Sequence, residues 1–226
     1  NRIPDDRRIK KQWAPRPESG TVDHVTSIED LPLHQGDWLI LSRTNDKLIK
    51  LKPTLQEMAI YFEIKGRKSY KTRLYTAVKH YTRWTNGDKL SLSECKDLFE
   101  FLELEQELKE ERMYDLKEFN YSIEDQWYEV FKSDPEECLY IREMLRNKEE
   151  LSKPARVKLS TIHAAKGGEA TNVLIILDNT KKIREAVDKS EDKHDEEHRV
   201  WYVGVTRTKQ NLYIMTPKRE DRSYDI

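Results

Sequence analysis

Several features that would announce a class of protein are scarce or missing in these 226 residues. The two cysteines, Cys95 and Cys138, stand far apart without a C-x-x-C pair, so neither a disulfide framework nor a zinc site is expected. No run approaches the roughly 20 apolar residues of a membrane span, and there is no secretory signal, which excludes a membrane partner. Glycine is sparse, and none begins a phosphate loop: Gly66, Gly87, Gly167 and Gly168 are not followed by the G-K-[ST] such a loop requires. Charge of one sign is also lacking. A net charge of −1 offers no global attraction to nucleic acid, so any such site must be local. A reduced, cytoplasmic setting fits these absences. The first residue is Asn1 rather than Met, and the chain is read as an excerpt of a longer protein.

What is present is concentrated between Val157 and Thr216. With 36% hydrophobic residues the chain can bury one good core and a smaller second lobe. Two apolar runs, Val173 to Leu177 and Leu212 to Met215, have the length and composition of buried parallel strands. A polar stretch precedes each of them. Lys166-Gly167-Gly168-Glu169 is a glycine turn carrying one cation and one carboxylate. Thr206-Arg207-Thr208 sets an arginine between hydroxyls at the end of a helical run from about Asp195. A glycine turn lets backbone N–H groups come close to a phosphate, and a fixed planar guanidinium can neutralise charge on a transferring phosphoryl group.

STIHAAKGGEATNVLI resembles motif V of the UvrD/Rep/PcrA helicases, and EEHRVWYVGVTRTKQNLYI resembles their motif VI. The resemblance implies an α/β fold: a RecA-like parallel sheet flanked by helices and interrupted by a smaller, all-helical insertion. It implies ATP bound between two RecA-like domains, with the phosphate loop and the Mg2+ ligands on an N-terminal domain of the same protein. Asp195-Glu196-Glu197 follows a lysine-rich stretch rather than an apolar strand, so it begins motif VI instead of forming a magnesium motif. By position, Arg207 matches the arginine finger at the γ-phosphate, and Gly167 and Glu169 match motif V positions facing the nucleotide. Thr161 and His163 match positions that couple the nucleotide cleft to the DNA groove. Lys166, Arg199 and Tyr202 match as well, divided evenly between ligand contact and packing. Gly168 stands where the family usually has a large apolar residue, a change that would loosen packing under the turn; Thr208 replaces the usual Ala.

In chain order, residues 1–20 are basic and proline-rich, a surface connector more than a phosphate-binding arm. Val22 and Val25 alternate with polar residues in a short edge strand. Trp38 to Leu41 is a buried strand ending in Ser42-Arg43-Thr44-Asn45; a helical face interrupted by Pro53 and a strand at Ile60 to Ile64 follow. This segment resembles motif IVa of the same family, which places Arg43 and Asn45 in the cleft for single-stranded DNA. Local sequence alone favours Thr44 and Asn45 as helix caps. Residues 1–66 and 154–226 are thus read as two halves of the second RecA-like domain, and 67–153 as the insertion. Within the insertion, Tyr70 to Trp84 is a basic, aromatic helix, a core element more than a DNA-stacking surface. Glu94 to Glu118 holds ten acidic and four basic residues at amphipathic helical spacing. Ser133-Asp134-Pro135-Glu136 starts another helix, running to about Asn147. Asn179 to His194 is a charged loop with a short helix, Glu196 to Lys209 the motif VI helix, and Lys218 to Ile226 a polar tail.

The expected function is the C-terminal motor half of an ATP-dependent DNA helicase or translocase, with single-stranded and duplex DNA as partners. A degenerate helicase-like module that only binds DNA or protein is the alternative. Arg207, Gly167 and Glu169 argue against it, since a binding module needs no arginine finger.

Overall fold

Trp38-Leu39-Ile40-Leu41-Ser42 is buried at every position, which only a strand covered on both faces achieves. The computed structural model describes residues 3, 4, 7, 19–104, 108–119, 121, 126–165, 167–217 and 224. Most of the expected connector, Lys166, and all of the Lys218 to Ile226 tail except Tyr224 lie outside them. The chain forms two compact units. One is built from the residues up to Arg67 and from Ser152 onward, the other from Lys68 to Leu151.

The first unit opens with β1 (Thr21–Val25), β2 (Trp38–Ser42), α1 (Asn45–Glu57), β3 (Phe62–Ile64) and β4 (Arg67–Lys68). The sheet runs β1-β9-β8-β2-β7-β3-β4, with later strands defined below. Pro53 does not interrupt α1: the helix continues to Glu57 and leaves through Ala59 at a positive φ of 52°. Proline withdraws one backbone donor, and the packing of Leu48 and Leu55 into the core holds the helix through that loss.

The second unit holds α2 (Thr72–Thr85), β5 (Leu90–Ser91), α3 (Leu92–Leu102), β6 (Met113–Tyr114), α4 (Trp127–Val130) and α5 (Pro135–Arg146). It is helical apart from the two-residue antiparallel ladder of β5 with β6. Ser91 caps α3 in a reciprocal box with Glu94, and Asp134 caps α5 with Pro135 in its first turn. The acidic stretch does not make one helix to Glu118. α3 stops at Glu103, which adopts a left-handed φ of 51° while the Leu104 N–H bonds back to the Phe99 carbonyl (3.2 Å). The chain must reverse there to bring Tyr114 beside Leu90.

The basic, aromatic helix α2 is a core element. Tyr81 and Trp84 are buried, and Trp84 packs against Phe99 (5.7 Å between centroids), Phe119 (5.5 Å) and Tyr121 (6.0 Å). Its cations are paired too, Arg73 with Glu100 and Arg83 with Glu94.

Both cysteines are free and buried in this unit, and burial pushes the Cys95 thiol up to about 11. At pH 8 only about a thousandth of such a thiol is thiolate, the reactive form. A thiol-reactive disulfide dye at that pH is therefore expected to titrate no cysteine in the folded protein and two after denaturation. Rapid native labelling of Cys95 would show that this core opens.

The chain returns to the first unit as β7 (Val157–Thr161), β8 (Ala170–Ile176), α6 (Lys181–Lys189), α7 (Glu191–Val205) and β9 (Thr208–Met215). From β1 through β9, β8, β2 and β7 to β3, every neighbouring pair is parallel. Alternate residues feed two cores. Ile40, Leu159, Leu174 and Ile176 join Leu48 and Leu55 of α1 on one face, while Leu39, Leu41, Val173 and Ile175 meet Trp201 of α7 on the other. A side-chain ladder crosses the sheet as well: Asn211 Nδ2 donates to Asn172 Oδ1 (2.8 Å), and Asn172 Nδ2 to the Asp37 carbonyl (3.1 Å). The two passages between the units are neighbours. β3 pairs with β7, the Tyr61 hydroxyl donates to the Lys153 carbonyl (3.2 Å), and the Ala155 N–H donates to Glu63 (3.4 Å).

The RecA-like α/β arrangement read from the sequence is the one observed. Both ends of the motif VI helix move. α7 begins at Glu191 and ends at Val205, so Arg207 lies in the turn after the helix rather than within it. Thr206 closes the helix with its N–H on the Tyr202 and Gly204 carbonyls, and β9 starts pairing with β8 at Thr208.

Candidate functional site

The strand register sorts the expected site residues onto two edges of the sheet. Ala170 and Thr208 are paired near the N-terminal ends of β8 and β9, whereas Ser42, Thr161 and Ile176 are level at the C-terminal ends of β2, β7 and β8. The chain from Ile162 to Glu169 crosses from the second edge to the first, so motif V touches both.

At the N-terminal edge, Arg207 is held by backbone. Its Nε donates to the Val203 carbonyl (3.0 Å), Nη2 to the Thr206 hydroxyl (3.2 Å) and Nη1 to the Gly168 carbonyl (3.5 Å). The Ala170 N–H returns a bond to the Arg207 carbonyl (3.1 Å). Among the described residues no carboxylate pairs with Arg207, so the contacts orient the guanidinium without neutralising it. Gly167, beside it, has a φ of 88°, and a Cβ placed there would meet nothing within 4 Å. The turn therefore uses glycine for its left-handed backbone and leaves open space in front of it. Glu169 is exposed on the same turn.

Gly168 does not loosen the core. It is exposed, and an added Cβ would meet only the Ala165 carbonyl, at the ordinary contact distance of 3.4 Å. Gly204 on α7 is tighter: a Cβ there would reach Ile162 at 3.3 Å and Ile175 at 3.4 Å.

At the C-terminal edge, Arg43 extends from the end of β2. Its Nε donates to both oxygens of Glu197 on α7, each at 3.0 Å, and its Nη1 lies 3.5 Å from His163 Nδ1. Thr161 accepts the Ala164 N–H on its hydroxyl (3.3 Å), which leaves the hydroxyl hydrogen to donate. Asn45 is the half-buried first residue of α1. The preceding Thr44 occupies the cap position without making a side-chain cap bond; its hydroxyl is buried and unpartnered among the described residues. So are both polar atoms of the Asn179 side chain and one oxygen of Asp178, which follow β8 at its C-terminal end. Unpartnered buried polar atoms are uncommon, and such groups concentrate where function demands them.

A family model for the UvrD-like helicase C-terminal domain matches residues 70–219, well over half of the sequence. The chain belongs to that family. No curated protein matches the sequence. The UvrD-like match takes in Thr161, His163, Gly167, Glu169 and Arg207; Arg43 and Asn45 precede it.

Within this UvrD-like domain, the positions singled out from sequence fall into the two groups described, Arg207 with Gly167 and Glu169, and Arg43 with Asn45, Thr161 and His163. Lys166 lies outside the described residues. Arg199 and Tyr202 are exposed, and Tyr202 is 59% accessible, so neither packs motif V against motif VI. The residue that sequence reasoning missed is Glu197. It signalled itself weakly: it shares a helical face, at spacings of four and three, with Trp201 and Gly204, and all three are buried. A carboxylate on a buried face calls for a cation. No group of three metal-ligating side chains occurs among the described residues, and none of their helices is long and apolar enough to cross a membrane.

Proposed function

We propose that this chain is the second motor domain of an ATP-dependent DNA helicase or translocase, completing an ATP site at one sheet edge and gripping single-stranded DNA at the other. The observation that carries the proposal is Arg207, a guanidinium oriented by three oxygen acceptors yet paired with no carboxylate among the described residues. A positioned but unneutralised guanidinium suits an anion that arrives from outside, and the open space at Gly167 leaves room for it. ATP with Mg2+ supplies the transferable phosphoryl group. The phosphate loop and the metal ligands, missing from this sequence, belong to the N-terminal RecA-like domain that closes on this edge.

Arg207 meets the charge that develops at the γ-phosphate. Gly167 lets the backbone approach, and Glu169 provides a polar contact on the same turn. At the opposite edge Arg43 and Thr161 bind DNA phosphates, with Asn45 and His163 completing the grip. α7 joins the two edges: about 12 Å of helix separates Glu197 from Val205. Closure of the nucleotide cleft would thereby shift the DNA grip, giving one step per cycle.

The test is ATP hydrolysis by the full-length protein with and without single-stranded DNA. Hydrolysis stimulated by DNA is expected, and none from the 226-residue chain alone. A full-length protein that binds DNA but hydrolyses no ATP would favour the binding-module reading instead.

A further inference from the structure

We infer that Glu197 is a positioning residue that fixes Arg43 for a DNA phosphate and fastens that grip to the helix leading to Arg207. The inference rests on the DNA-binding reading above and adds to it the residue through which the two edges are linked.

Three observations carry it. Glu197 is 3% exposed, so its charge must be met inside the protein, and the Arg43 guanidinium meets it at 3.0 Å to both oxygens. The contact uses the Nε of Arg43 and leaves the Nη side for other partners. Nη1 reaches only to His163 Nδ1 at 3.5 Å, and Nη2 makes no bond among the described residues. A guanidinium anchored at one side is pre-organised to present the other to a phosphate, whereas an unanchored arginine must lose its rotamer freedom on binding. Finally, the two partners lie 154 residues apart, on β2 and on α7, so the pair joins the DNA edge to the helix that ends two residues before Arg207.

Positioning and simple electrostatics predict opposite signs. Removing a carboxylate beside a DNA site should tighten binding to a polyanion if only charge matters. If Glu197 works by holding Arg43, its removal should weaken binding.

The experiment measures the affinity of the full-length protein for a fluorescent oligothymidylate at fixed salt, with thermal melting recorded for each variant. Arg43→Ala is expected to weaken binding about tenfold, the loss of one charge-assisted phosphate contact. Glu197→Ala is expected to weaken it by a similar factor, and the double variant to bind no more weakly than Arg43→Ala alone. Glu197→Gln keeps the shape and one acceptor oxygen, so it should recover part of the loss at an unchanged melting temperature. Wild-type or tighter binding by Glu197→Ala overturns the inference, as do losses that multiply in the double variant. Should Glu197→Ala not fold, Glu197→Gln decides alone: a several-fold loss supports the role and wild-type affinity overturns it. If Arg43→Ala itself binds normally, the DNA-binding reading of this edge fails, and the inference fails with it.

Discussion

Replacing Arg207 with alanine is expected to lower DNA-stimulated ATP hydrolysis by the full-length protein about 10³- to 10⁵-fold, the range for losing an arginine finger. The magnitude follows from where the charge sits. The Val203 and Gly168 carbonyls and the Thr206 hydroxyl orient the guanidinium, and no carboxylate among the described residues offsets it, so its field is available to an incoming phosphate. Stability should change little, because the lost bonds end on acceptors that water can reach in a half-exposed turn; about 1–2 kcal/mol is expected. Arg207→Lys keeps the charge but not the planar fork that bonds Val203 and Gly168 together, so it should restore only a small part of the rate. Hydrolysis and melting measured on the same samples check both statements. Wild-type hydrolysis in Arg207→Ala would refute the assignment of the N-terminal edge to the nucleotide.

Trp84→Ala should have the largest effect on stability, about 3–5 kcal/mol as read by urea unfolding. Trp84 is 0% exposed and sits among Phe99, Phe119 and Tyr121, so truncation removes its burial and leaves a cavity that three rigid rings cannot easily fill. Its indole N–H is buried without a partner among the described residues. Trp84→Phe removes that unsatisfied donor while keeping most of the ring, and its loss should stay below about 2 kcal/mol. A Trp84→Ala protein as stable as the wild type would mean that the helical unit is not organised around this side chain.

The strands of the central sheet were legible because burial on both faces leaves continuous apolar runs, as at Trp38 to Leu41 and Val173 to Leu177. The turn at Gly167 was legible because glycine's left-handed backbone is a local property. What escaped depended on geometry that no local pattern encodes. Leu104 and Leu108 continue the helical spacing of α3, but the left-handed backbone at Glu103 ends the helix before them. The partnership of Glu197 with Arg43 spans 154 residues, and only the tertiary fold discloses which cation answers the buried carboxylate. The Asn172–Asn211 ladder was silent for the same reason: two polar residues at strand starts gain meaning only when β8 and β9 lie side by side. Pro53 misled in the opposite direction, since tertiary packing overrode a strong local signal.

The adjacency of the two passages at β3 and β7 bears on how the α/β unit tolerates what it carries. Because Tyr61 meets Lys153 and Glu63 meets Ala155, the 84 residues from Lys68 to Leu151 form a branch of the chain whose two ends the first unit brings together. Closure entropy grows only with the logarithm of length: even as a structureless loop, 84 residues would cost the sheet only about 2 kcal/mol more than ten. The sheet and its two edges are therefore nearly blind to the size of the branch, which can lengthen, shorten or be recast without moving Arg43 or Arg207.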